Sequence, residues 1–211
     1  MRQQHQIHRG DVKRRVAIVL VGVLGIGLAG CPNPVQDREI EALGGECSDI
    51  PESEYHRPGQ PCVLCHGQYE KDSPRMSIAG TIFATKSSAT PVEGAEILLT
   101  DANGSSPPGP VLTNCIGNFF IEDDAWTPAF PIHAEIVCPN PDDMDEPRRL
   151  VMGTRISRDG SCAGCHIDKP GDHLDSPGWI YCAVRSPETP YTVRDTCQGR
   201  SQDPACPTSG F

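Results

Sequence analysis

Ile132-His133-Ala134-Glu135-Ile136-Val137-Cys138 decides the fold class. Successive side chains of an extended chain point to opposite sides. Ile132, Ala134, Ile136 and Cys138 therefore share one face, while His133 and Glu135 share the other. Alternation of this kind describes a strand with one side on a core and the other in water. Four more short runs rich in Ile, Val, Thr and Phe lie around it: Met76 to Ala84, Ala95 to Asp101, Gly117 to Ile121 and Arg149 to Ile156. Turn-formers separate them, namely Thr90-Pro91, Asn103-Gly104, the Pro107-Pro108-Gly109-Pro110 cluster and Pro139-Asn140-Pro141. Closely spaced short strands broken by turns predict an all-β protein, a β-sandwich over residues 76–156.

The flanks read differently. Prolines at 32, 34, 51, 58, 61 and 74 keep any helix in residues 31–75 short, because proline lacks the amide donor and clashes with the preceding turn. One helix is expected from Val35 to Leu43, stopped by Gly44-Gly45. Residues 157–211 return to irregular, cysteine-rich chain. Within them the short apolar run Trp179 to Val184 is one that could pair with a sandwich edge. Residues 1–30 form a leader: Lys13, Arg14 and Arg15 precede an apolar run, Val16 to Leu28, that is short for a membrane span. The expected organisation is thus leader 1–30, tether and first motif 31–75, sandwich 76–156, second motif and tail 157–211.

Within the sandwich, Ile78-Ala79-Gly80-Thr81-Ile82, then Pro91 to Leu99, then Thr113 and Gly117-Asn118-Phe119-Phe120 resemble the carboxypeptidase-regulatory-like β-sandwich. That resemblance implies an Ig-like, prealbumin-like Greek-key fold and a non-catalytic module. It also implies that Gly94-Ala95 opens the second strand and that Gly117 turns the chain into a later core strand. Similarly, Leu28-Ala29-Gly30-Cys31 resembles the bacterial lipoprotein processing box, which implies cleavage before Cys31 and its acylation.

The chemistry is carried by two copies of one pattern, Cys62-Val63-Leu64-Cys65-His66 and Cys162-Ala163-Gly164-Cys165-His166. Chance at this cysteine and histidine content would supply roughly 0.02 copies. Cys-x-x-Cys-His is the pattern of covalent c-type haem attachment: a tight turn brings two thiols to one side, where each adds to a haem vinyl group. The following histidine reaches the iron as its proximal ligand. Cys62, Cys65, Cys162 and Cys165 are therefore expected to hold two c-type haems, with His66 and His166 on the irons. Two other readings stay open, four structural disulfide cysteines or a zinc held by the four thiols. For the sixth ligands His56, just before the first motif, and His173, just after the second, are the candidates. Met76 and Met152 flank the sandwich as thioether alternatives, and His133 is read as a surface residue.

Eleven cysteines then divide into one lipid site, Cys31, four haem thiols and six others. The expected bridges are Cys115–Cys138, Cys197–Cys206 and Cys47–Cys182, three among the 15 pairings that six cysteines allow. The whole chain carries a formal charge of −10. Residues 31–211 carry 13 basic and 27 acidic residues, a charge of −14. Such a surface repels nucleic acid and anionic head groups, so membrane attachment has to come from the lipid. It suits a basic redox partner. The function these features imply is electron transfer or redox sensing by a lipid-anchored envelope protein, with the outer membrane favoured. The alternative is a surface adhesion or binding module with disulfides in place of haem. No acid–base or nucleophile constellation points to an enzyme, which leaves a dihaem peroxidase as a minor option.

Overall fold

The computed structural model describes residues 33–43, 53–67, 74–86, 88–167 and 176–191. The leader, Cys31, Cys47, His173, Cys197 and Cys206 lie outside the described residues. The chain divides into two units, Met1–Asp37 and Arg38–Phe211. Asn33 caps the start of a helix, α1 (Pro34–Ala42), by accepting from the Gln36 amide. That helix matches the segment expected from Val35 to Leu43. No described helix is long and apolar enough to cross a membrane.

The second unit is all-β, built from two sheets. Its strands are β1 (Met76–Thr85), β2 (Ser88–Pro91), β3 (Glu96–Thr100), β4 (Val111–Leu112), β5 (Asn118–Glu122), β6 (His133–Cys138), β7 (Arg148–Val151) and β8 (Ile180–Ala183). One sheet runs β4-β3-β6-β7 and is antiparallel throughout. The other is organised on β1. On one side of β1, β5 pairs with Met76 to Thr81 and β2 with Phe83 to Thr85. On the other side lie Ser161, paired in parallel with Ala79, and then β8, in parallel with Ile82 to Thr85.

Every residue of β1 from Ile78 onward is buried, so both of its faces are covered. Ile78, Ile82 and Ala84 join Ile97, Phe119 and Ile132 in the core between the sheets. A fully buried isoleucine of this kind contributes about 1.5–3 kcal/mol. On the opposite face, Thr81 accepts from the Gly59 amide at 2.7 Å, and Phe83 packs on Trp179 with ring centroids 4.5 Å apart. The hydrophobic alternation of the stretch from Ile132 holds, with Ile132 and Cys138 fully buried and His133 tied to Glu135 on the wetter face. Gly117 adopts φ +80° immediately before β5, a backbone conformation that favours glycine.

Two expectations about bridges are corrected. Cys138 is bonded to Cys182, Cα–Cα 5.7 Å, so neither Cys115–Cys138 nor Cys47–Cys182 forms. The reason lies in topology: β8 enters the β1 sheet, which brings Cys182 under the end of β6 in the opposite sheet. Cys115 is also disulfide-bonded, but not to Cys138. The sandwich is correspondingly larger than residues 76–156, since β8 from the tail is one of its strands.

Candidate functional site

The two Cys-x-x-Cys-His runs fold as the same tight turn. Cys62 to Cys65 form a single helical turn, α2, and Cys162 to Gly164 a 3-10 turn. In both, the histidine amide donates to the carbonyl of the first cysteine at 2.9 Å. One turn of chain therefore brings both cysteines and the histidine of each motif together, which is what a two-residue spacer allows. Cys62, Cys65, Cys162 and Cys165 are all thiols.

The histidines are oriented alike. His66 Nδ1 lies 3.2 Å from the Pro74 carbonyl oxygen, and His166 Nδ1 lies 2.8 Å from that of Gly178. A carbonyl can only accept, so Nδ1 carries the proton and the lone pair resides on Nε2. Imidazoles that bind metal through Nε2 are held in this way. Each accepting carbonyl stands two residues before a strand: Pro74 before β1 and Gly178 before β8. Since β1 and β8 are parallel neighbours, one device is built twice on one sheet. Burial holds the His166 imidazole below its ordinary value, offset in part by the bond to Gly178.

The first thiols are the deep ones. Burial pushes Cys62 up to about 11, with a smaller contribution from Cys65. It pushes Cys162 up to about 12, assisted by the negative charges of Cys62, Asp159 and Cys165. Both motifs pack against β1. Cys165, by contrast, is exposed. Glycines permit this approach. A Cβ on Gly80 would lie 2.8 Å from that of Cys162, and one on Gly160 would lie 1.7 Å from the Ser77 carbonyl oxygen.

Among the other expected residues, His56 stands beside the first motif. Its ring centroid is 5.7 Å from that of His66, with the planes tilted by 48°. Two imidazoles on opposite sides of one metal ion would have centroids roughly 6 Å apart, given metal–nitrogen bonds of about 2.0 Å. His56 Nδ1 also meets a carbonyl, that of Ser53, which again leaves the lone pair on Nε2. Met76 is adjacent to this motif, its amide donating to the His66 carbonyl at 2.8 Å. Met152 follows β7 and bonds to Ala134. His133 is engaged by Glu135, whose carboxyl is held below the ordinary range by the Arg149 guanidinium and then by His133.

Sequence reasoning missed the accepting carbonyls, which no residue type announces, and it missed Ser161. The Ser161 hydroxyl is buried beside Cys162 with no hydrogen-bond partner. Orphaned buried hydroxyls are uncommon. Among the described residues no three His, Cys, Asp or Glu side chains converge to hold a metal ion, an arrangement unlike the four-thiol cage of structural zinc. Haem iron, held axially by one or two residues, requires no such cluster. The residues present thus fit a covalently held haem at each motif. No protein-family model, curated protein or solved structure matches the chain, so the reading of the site rests on its own geometry.

Proposed function

We propose that the protein carries two c-type haems, one at Cys62, Cys65 and His66 and the other at Cys162, Cys165 and His166, and serves electron transfer or redox sensing in the cell envelope. The observation that carries this reading is the repeated imidazole geometry, Nδ1–H aimed at the carbonyl that leads into a sandwich strand. Structural disulfides would give these histidines no reason to be oriented alike. When bound, the haems supply one-electron chemistry; the chain supplies everything that tunes it. His66 and His166 would hold the irons through Nε2, and the Pro74 and Gly178 carbonyls would fix the ring planes and raise their basicity. His56 is the sixth-ligand candidate for the first site. Cys62 and Cys162 would be the haems' buried attachment points and Cys165 an exposed one.

In this reading the sandwich, similar to the carboxypeptidase-regulatory-like module, is the scaffold that brings both sites onto one strand. Cys31 takes the lipid, and the acidic surface favours a basic redox partner. The protein is then a carrier and not an enzyme.

Intact mass after expression with haem-attachment machinery tests the proposal. The expected gain is two haems, with one lost in Cys62→Ala/Cys65→Ala and the other in Cys162→Ala/Cys165→Ala. His56→Ala should move only the first haem from low-spin towards high-spin. A colourless protein lacking two protons at each Cys-x-x-Cys pair would overturn the reading and favour the adhesion module.

A further inference from the structure

The two sites differ in what holds their histidine in place. For His66 the accepting Pro74 carbonyl leads directly into β1, the ten-residue strand at the centre of its sheet. For His166 the accepting Gly178 carbonyl leads into β8, a four-residue strand that among the described residues pairs only with β1. Ser176, in the same lead-in, donates to the carbonyls of Cys165 and Ile167 at 3.0 and 2.6 Å and accepts from the Gly178 amide at 3.1 Å. Residues 176–180 are therefore a clamp closed on the second motif. A strand of four residues makes few ladder bonds, and stability spreads unevenly through a fold. Trp179 stacking on Phe83 adds one restraint. The covalent one is Cys182, 2% exposed, bonded to Cys138 of β6 in the other sheet.

We infer that the Cys138–Cys182 disulfide is a positioning element of the second site, acting through β8 and the Gly178 carbonyl to hold His166 in its Nδ1–H form. It has no comparable path to His66. The inference rests on the proposed axial role of His166, but the bond it concerns belongs to the chain itself. A thiol donor strong enough to reduce that bridge would convert it to two cysteines with two electrons and two protons and would loosen one site of the pair.

The experiment uses the full-length protein without haem, with imidazole nitrogens read by 15N NMR. In Cys138→Ala/Cys182→Ala, His166 should lose the Nδ1–H signature and pass to a tautomer mixture, while His66 keeps its own. If that variant fails to fold by circular dichroism, Cys138→Val/Cys182→Ala, which removes the bridge but refills the buried site, repeats the test. An unchanged His166, or equal loss at His66 and His166 in a folded variant, overturns the inference. With haem attached, the same variants should alter the ligand-field spectrum of one haem of the two. Should the protein take up no haem while His166 still responds, the proposed function fails and the positioning role stands.

Discussion

The two Cys-x-x-Cys-His segments are nearly identical as turns and unlike as parts of the fold. The first belongs to a segment laid on a face of the β1 sheet, where Gly59 donates to Thr81 and packs against Phe83. The second enters the sheet itself, with Ser161 pairing beside Ala79 and the chain returning as β8. A segment laid on a sheet can lift away and leave the ladder intact. A segment woven into the ladder cannot, and its glycine, disulfide and lead-in strand have to be correct together. Equal motifs thus acquire unequal dependence on the sandwich.

Removal of the Cys138–Cys182 bridge should give the largest effect. It closes a separation of 44 residues, for which the chain-entropy account assigns about 4 kcal/mol. Urea unfolding of Cys138→Ala/Cys182→Ala would measure it, and a loss under 1 kcal/mol would mean that β8 is secured by its pairing alone. Gly160→Ala comes next. A methyl placed 1.7 Å from the Ser77 carbonyl forces Ser161 off Ala79, with an expected cost of about 2–3 kcal/mol. Haem should be lost at the second motif only, and loss at both would remove the contrast between the segments.

A smaller difference separates the deep thiols. Burial raises both thiols, Cys162 to about 12 and Cys62 to about 11, so Cys162 is the less ionised of the two near neutral pH. In the haem-free protein, alkylation followed by peptide mass should rank exposed Cys165 fastest, then Cys62, then Cys162. Reversal of the last two would place the second motif nearer solvent than the first. The smallest expected effect is of pH. Burial lowers the His166 value below 6.5, so the unfolded imidazole takes up a proton that the folded one refuses. Stability is complete above 6.5 and declines as pH falls from there through the folded value. Urea midpoints of the haem-free protein at pH 7.5 and 5.5, against the same pair for His166→Gln, isolate this contribution. An equal drop in both proteins would assign the pH dependence elsewhere.

Much of the fold was legible in the sequence. The run from Ile132 became a strand with Ile132 and Cys138 inside, and the runs at Met76, Ala95, Gly117 and Arg149 became β1, β3, β5 and β7 within a few residues. What escaped was β8 as a full member of the sheet. The apolar run Trp179 to Val184 marked a candidate edge strand, but its parallel pairing is made with β1, about a hundred positions away, and no local pattern announces that. The misassigned bridges share this cause. Cys115 and Cys138 are neighbours along the sandwich sequence, whereas Cys182 becomes a neighbour of Cys138 only when β8 docks.

The sequence by itself determined the strand periodicity and the two five-residue motifs, because both depend on chemistry within a few residues of chain. Alternation, turn residues and a two-residue spacer act locally wherever they occur. Only the tertiary structure decided that Pro74 and Gly178 would turn their carbonyls on His66 and His166, that His56 would stand beside His66, and that Ser161 would be buried without a partner. Every residue possesses a carbonyl, and nothing in its identity says where that carbonyl points. Long-range packing on the two faces and the edge of β1 makes that choice.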